Sequence, residues 1–365
     1  MKLNQEYLAD RICVLGFILQ ALISWPLWLS HGRDFPMIPL ADWLPGSLPA
    51  AGSILLALGI LLLPLLLFWK PEVRRIRQSL LVYLLVMVIL DLNRMQPWLY
   101  FYALIWFSGL FPSPNTLIRW ILAGVYVWGG IQKLNPYYAE DNFAWFMEAF
   151  SWTAPLGGNP ALGYLSAVFE MGIGFMLLIP RLRPFAFYPA WAMHLLIVLV
   201  LSPLGHNWNA VVLPWNLAMA ALVWLASKSS TNPTWTRYSI AMLLWVWIAP
   251  ILNELNWTPH AVSWNLYSNL QDERSIHIQS GLVCEPMRPI WSAYAYDRKS
   301  KLLVDDWSMH SLHVPAWNGR HTTEVLLKYL FPCVSRPDAC SIIELEVNRW
   351  NKNDVQVREL PCSGQ

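Results

Sequence analysis

The stretch "VYVWGGIQKLNPYY", residues 125–138, decides how this chain is read. An apolar, aromatic run meets two glycines and then one lysine, Lys133, before Asn135 and Pro136 end it. It reads as the last turns of a membrane helix, since a span takes about 20 mostly apolar residues. Lys133 then lies at a membrane surface, where a lysine either snorkels its ammonium to water or serves a site. Tyr126, Gly130 and Lys133 share one helix face by three- and four-residue spacing. Gly129 and Gly130 leave room for a second helix or a flat ligand.

Composition agrees with a membrane setting. Of the 365 residues, 56% are hydrophobic and 13% charged, too little charge for the surface of a soluble domain this long. The 23 Trp fit the membrane–water interface. A net charge of +2 carries no nucleic-acid footprint. Charge is uneven: residues 1–256 hold 25 Asp, Glu, Lys and Arg, whereas residues 257–365 hold 23. The expected organisation is a transmembrane domain over 1–256 and an extracytoplasmic module over 257–365.

Apolar segments fall at about 12–30, 50–69, 78–92, 97–112, 115–133, 161–180, 185–203, 208–226 and 237–254. The fold expected is therefore an all-α polytopic helix bundle of about nine spans, with eight as the alternative, followed by a small α+β module. The first segment is longer than a signal-peptide core and has no small-residue cleavage site, so it reads as retained. The basic stretches "KPEVRRIR" (70–77) and "PRLRP" (180–184), with Lys228 and Arg237, fall on one side in a nine-span chain. That side is cytoplasmic by the positive-inside rule and holds the N-terminus. Lys133 and the C-terminal module then face the periplasm or exterior of a bacterial inner membrane. The aromatic "FAWFMEAFSW" (143–152) is too short to span and reads either as an interfacial helix or as a loop dipping to the headgroups.

In the tail, "SAYAYD" and "KLLVDDWSM" flank "DRKS" as a hairpin, and "SIIELEVNRW" and "VQVREL" flank "NKND" as another. "TTEVLLKYLF" reads as a helix with a threonine cap. Cys284, Cys333, Cys340 and Cys362 suggest two disulfides, with Cys333 and Cys340 close enough to close a small loop. Cys13, alone in the first span, reads as a buried thiol. His310, His313 and His321 lack a clear fourth ligand, so no metal site is expected. "NWT" at Asn256 is a glycosylation sequon.

Ionisable residues inside apolar segments mark either sites or structural pairs. Besides Lys133 there are Glu170 in "SAVFEMGIGFMLL", His194 in "YPAWAMHLLIVLVL" and Asp91 in "VMVILDLNRM". Asp91 beside Asn93 and Arg94 also reads as an end cap with a local ion pair. A lysine in an apolar pocket is a potential general base, and an ionised Glu170 nearby would oppose that by holding its proton.

These segments, in this order, resemble the vitamin K-dependent γ-carboxylase family and its horizontally transferred transmembrane (HTTM) domain over about residues 10–225. Lys133 falls on the family's catalytic lysine, and Asp91, Tyr100 and Tyr102 on its upstream stretch. Glu170 stands where the family has Asp, and His194 where it has His. Trp98 falls near its loop histidine, which this chain lacks. The resemblance implies an enzyme that uses reduced vitamin K or another quinone to modify a peptide or protein on the outer face. Lys133, His194 and Glu170 would be its catalytic residues, and Tyr126, Gly129, Gly130, Asp91 and Trp98 would hold the cofactor. The other reading of the chain is a non-enzymatic membrane scaffold, or a maturation or export partner for a secreted peptide or protein complex. A transporter with a polar path through Glu170 and His194 is the third. Besides a client, the expected partner is membrane lipid, and no nucleic acid.

Overall fold

The computed structural model describes residues 7–229, 234–253, 257–268, 273–278, 283, 287–296, 301–330 and 340–362. The chain divides into two compact units. One is formed by residues 1–23, 58–86 and 96–269, and the other by 24–57, 87–95 and 270–365.

The helices are α1 (Leu8–Ile23), α2 (Ala50–Trp69), α3 (Arg74–Leu90), α4 (Pro97–Ser108), α5 (Pro114–Gln132), α6 (Phe143–Glu148), α7 (Pro160–Leu178), α8 (Phe187–Leu201), α9 (Val212–Lys228), α10 (Arg237–Asn253), α11 (Arg288–Tyr294), α12 (Val304–Leu312) and α13 (Arg320–Leu330). Several start where the chain places Pro at the first helical position, as at Pro97, Pro114 and Pro160, where proline's missing N–H costs nothing.

Three helices among the described residues are long and apolar enough to cross a membrane: Ala50–Trp69, Pro160–Leu178 and Arg183–Leu201, the last being α8 with the turn before it. Their apolar side chains face outward, as at Leu55, Leu62 and Leu165. That is the pattern of a chain whose solvent is lipid, and the protein is a membrane protein. α9 and α10 are apolar but shorter.

The first unit is helical. α5 and α7 cross in close contact because small residues meet there. A Cβ on Gly130 would lie 2.5 Å from the Ala167 carbonyl oxygen, and one on Gly174 2.8 Å from that of Ala123. α1 and α3 are joined by a buried ion pair in which the Arg77 guanidinium holds Asp10 at 2.6 and 2.9 Å. Beyond α5 the chain makes one wide π-helical turn, Tyr137–Asn142, before α6. So "FAWFMEAFSW" is a short helix and not a loop. Trp145 on it stacks on His206 at 4.1 Å, and Phe146 meets the edge of Tyr267 at 5.5 Å.

The second unit holds a four-stranded antiparallel sheet of β1 (Glu273–Ile278), β2 (Lys301–Leu303), β3 (Cys340–Val347) and β4 (Val355–Pro361), in the order β2-β1-β3-β4. Ile276 sits opposite both Leu302 and Ile342, and all three are fully buried. Trp307 of α12 packs on Phe35 at 4.7 Å. The second hairpin is as read, β3 and β4 pairing from Val347↔Val355 to Ser341↔Pro361.

The first hairpin is not. "SAY" closes α11, and "VDDWSM" belongs to α12, whose first turn holds Asp305 and Asp306. Carboxylates favour a helix N-terminus, and that outweighed the strand pattern. "DRKS" lies outside the described residues. Nor are Thr322 and Thr323 caps: they are inside α13, where Thr322 donates to the Trp317 carbonyl at 2.7 Å and Thr323 to Glu344. Cys340 pairs with Cys362, not with Cys333, because pairing of β3 with β4 sets their Cα atoms 5.3 Å apart. Cys284, Cys333 and the Asn256 sequon lie outside the described residues. Cys13 is a buried free thiol.

Candidate functional site

α5, α7, α8 and α9, with the segment after α10, enclose a cavity of about 70 Å³ in the first unit. Tyr126, Gly129 and Lys133 reach it from α5 and its C-cap, Glu170 from α7, His194 from α8 and Asn216 from α9. Trp215, Trp264 and Tyr267 supply aromatic walls.

Its polar side has two parts. In the first, the Lys133 ammonium donates to Glu170 Oε2 at 2.6 Å, with the side chains only 12% and 16% exposed. Lys133 also lies 5.9 Å from the Tyr138 ring centroid. A Cβ on Gly129 would come 2.7 Å from Glu170 Oε1, so glycine there lets the carboxylate rest against the helix. Two charges placed this far from water hold each other in place. An ammonium so paired is a donor and has no lone pair with which to take a proton.

In the second, the hydrogen bonds fix the imidazole. The Asn216 amide nitrogen donates to the Val212 carbonyl at 2.9 Å, which leaves Oδ1 as acceptor. His194 Nδ1–H donates to that oxygen at 2.8 Å, and Nε2 accepts the Tyr126 hydroxyl at 2.5 Å. One nitrogen donates and the other accepts, so the ring is neutral in this network.

Of the residues that stand out in the sequence, Lys133, Glu170, His194, Tyr126 and Gly129 line this cavity. Gly130 is spent on the helix crossing. Trp98 is buried against Phe17 at 6.1 Å. Asp91 belongs to the second unit, where it caps the turn Leu92–Arg94, accepts from Arg33 at 2.7 Å and from the Ile38 N–H at 3.0 Å. Asn216, Trp264 and Tyr267 do not stand out in the sequence. Asn216 has a signal, a lone amide in the apolar "VLPWNLAMA". Trp264 and Tyr267 come from an irregular segment with no local pattern. No group of His, Cys, Asp and Glu suited to a metal occurs among the described residues.

The cavity is about half the 150 Å³ that accommodates a benzene, so it is too small for a naphthoquinone ring, and the residues present do not fit a quinone cofactor.

No curated protein and no solved structure matches the chain. Residues 100–208 match the family described as methylamine utilisation protein MauE. This overturns the resemblance to the vitamin K-dependent carboxylases and their HTTM domain, and with it the carboxylase reading. What the two readings shared was an apolar helix ending in a lysine, a pattern too short to tell them apart. Over the stretch that carries Tyr126, Lys133, Glu170 and His194, the chain is similar to the methylamine utilisation protein MauE family.

Proposed function

We propose that this protein is a membrane maturation or export partner for a secreted protein or protein complex. The observation that carries this reading is the family match over residues 100–208, which covers α5, α7 and α8 and so most of the polar cavity. In this reading the helical unit is a polytopic anchor of about nine spans with its N-terminus cytoplasmic, and the disulfide-closed sheet unit meets the client outside. The Lys133–Glu170 and Tyr126–His194–Asn216 groups are internal struts that set the helix arrangement. Each polar atom they use is matched by another, the condition under which polar groups persist in a bundle core.

The test is complementation. In cells lacking the protein, one exported protein should fail to mature. A double Lys133→Met, Glu170→Met variant, which removes both charges together, should restore it. A chain with β3 and β4 disrupted should not. Loss of maturation with the double variant at normal protein level would sink the reading.

A further inference from the structure

The opposite end of α5 carries a charge arrangement that nothing above uses. Arg119, only 6% exposed, donates through Nη1 to the carbonyl oxygen of Ser229 at 3.3 Å. Arg183 donates through Nη1 to the same oxygen at 3.1 Å, and through Nε to the Leu177 carbonyl at 3.3 Å. Two guanidinium groups thus converge on one neutral acceptor, and Lys228 immediately precedes it. Among the described residues none of the three forms an ion pair with a carboxylate. The sequence supplies none nearby in the chain either, since no Asp or Glu occurs between Asp91 and Glu140 or between Glu170 and Glu254.

The C-terminus of α9 offsets part of this, at about half a unit of negative charge. That leaves most of two positive charges facing each other with little water. Like charges at this separation are stable only with a counter-anion, and most of Arg119's forked N–H donors are unspent.

The surroundings say which anion. Arg183 lies in the turn that leads into α8, a helix of spanning character, and beside it Phe185 and Tyr188 are 57% and 67% exposed. Trp120 and Trp235 pack at 6.4 Å on the adjoining part of α5. Basic groups, tryptophans and outward apolar side chains together form the pattern of a headgroup layer above acyl chains. The chemistry that satisfies all three is a phosphate diester carried on a lipid. We propose that Arg119 and Arg183 form a binding site for the phosphate of an anionic phospholipid. The site is 14 residues along α5 from Lys133, about 21 Å at the helical rise, so it is separate from the polar cavity and independent of the maturation reading.

The test uses the full chain in phosphatidylcholine nanodiscs with and without phosphatidylglycerol, read by thermal unfolding and by native mass spectrometry of retained lipid. Phosphatidylglycerol should raise Tm and stay bound. Arg183→Gln should cut its retention about fivefold, the effect of one basic group at a membrane surface, and Arg183→Lys by less. Arg75→Gln, an exposed charge elsewhere, should change nothing. Equal retention by Arg183→Gln and wild type overturns the proposal. So does an equal loss with Arg75→Gln, which would mean diffuse surface charge. An equal Tm rise from inorganic phosphate, with no lipid retained, would make this a free-anion site and overturn the lipid assignment.

Discussion

Lys133 Nζ lies 2.6 Å from Glu170 Oε2, and this contact ties the C-cap of α5 to the middle of α7. Removing one partner strands the other charge. Lys133→Met alone, or Glu170→Met alone, should lower stability by about 3 kcal/mol, the low end for buried pairs because both groups keep slight exposure. The double variant should recover most of that. Thermal unfolding of the three in one detergent gives the coupling.

The two adjacent glycines should respond differently to alanine. At Gly130 the new Cβ meets backbone, the Ala167 carbonyl oxygen and the Met171 nitrogen, which cannot move without parting α5 from α7. Gly130→Ala should cost about 1–3 kcal/mol. At Gly129 the obstacle is the end of the Glu170 side chain, which can swing away. Gly129→Ala should cost less, and should make Lys133 more reactive to amine-modifying reagents as the pair opens. Unfolding and labelling rates check both.

Asn216→Leu leaves the buried His194 Nδ1–H without its acceptor, at an expected cost of about 1–3 kcal/mol. Asn216→Asp offers an anionic acceptor in place of the amide oxygen and should favour the doubly protonated ring. The nitrogen shifts of His194 in a selectively labelled sample distinguish the two cases.

Non-reducing peptide mapping should recover a peptide pair joined through Cys340 and Cys362. The bridge closes a segment of 22 residues, so Cys362→Ser should cost about 3 kcal/mol in the sheet unit by the chain-entropy relation. A reductant should lower the unfolding temperature of the wild type and not that of the variant.

What the sequence disclosed, and what it hid, follows from the range of the forces concerned. Helix positions such as 50–69 and 160–178 were legible because apolar length is a local property. Lys133, Glu170 and His194 were legible because an ionisable group in an apolar run stands out wherever its partner lies. The Asp10–Arg77 pair was not, since 67 residues separate its members and each alone looks like an ordinary end charge. Carboxylates at the start of α12 were a visible helix signal that the alternating pattern of "KLLVDD" concealed. The family was misread because glycine, lysine and leucine at a helix end meet a general packing need.

The π-helical turn at Tyr137–Asn142 governs more than its own six residues. Such a turn accommodates one more residue than an α-helical turn of the same span. Deleting one residue there lets the backbone close as ordinary α-helix, but everything after it is turned by about 100°. Trp145 would leave His206 and Phe146 would leave Tyr267, a wall of the polar cavity. The length of this short connection therefore works like a dial, setting the direction in which an aromatic helix points by the number of residues wound into it.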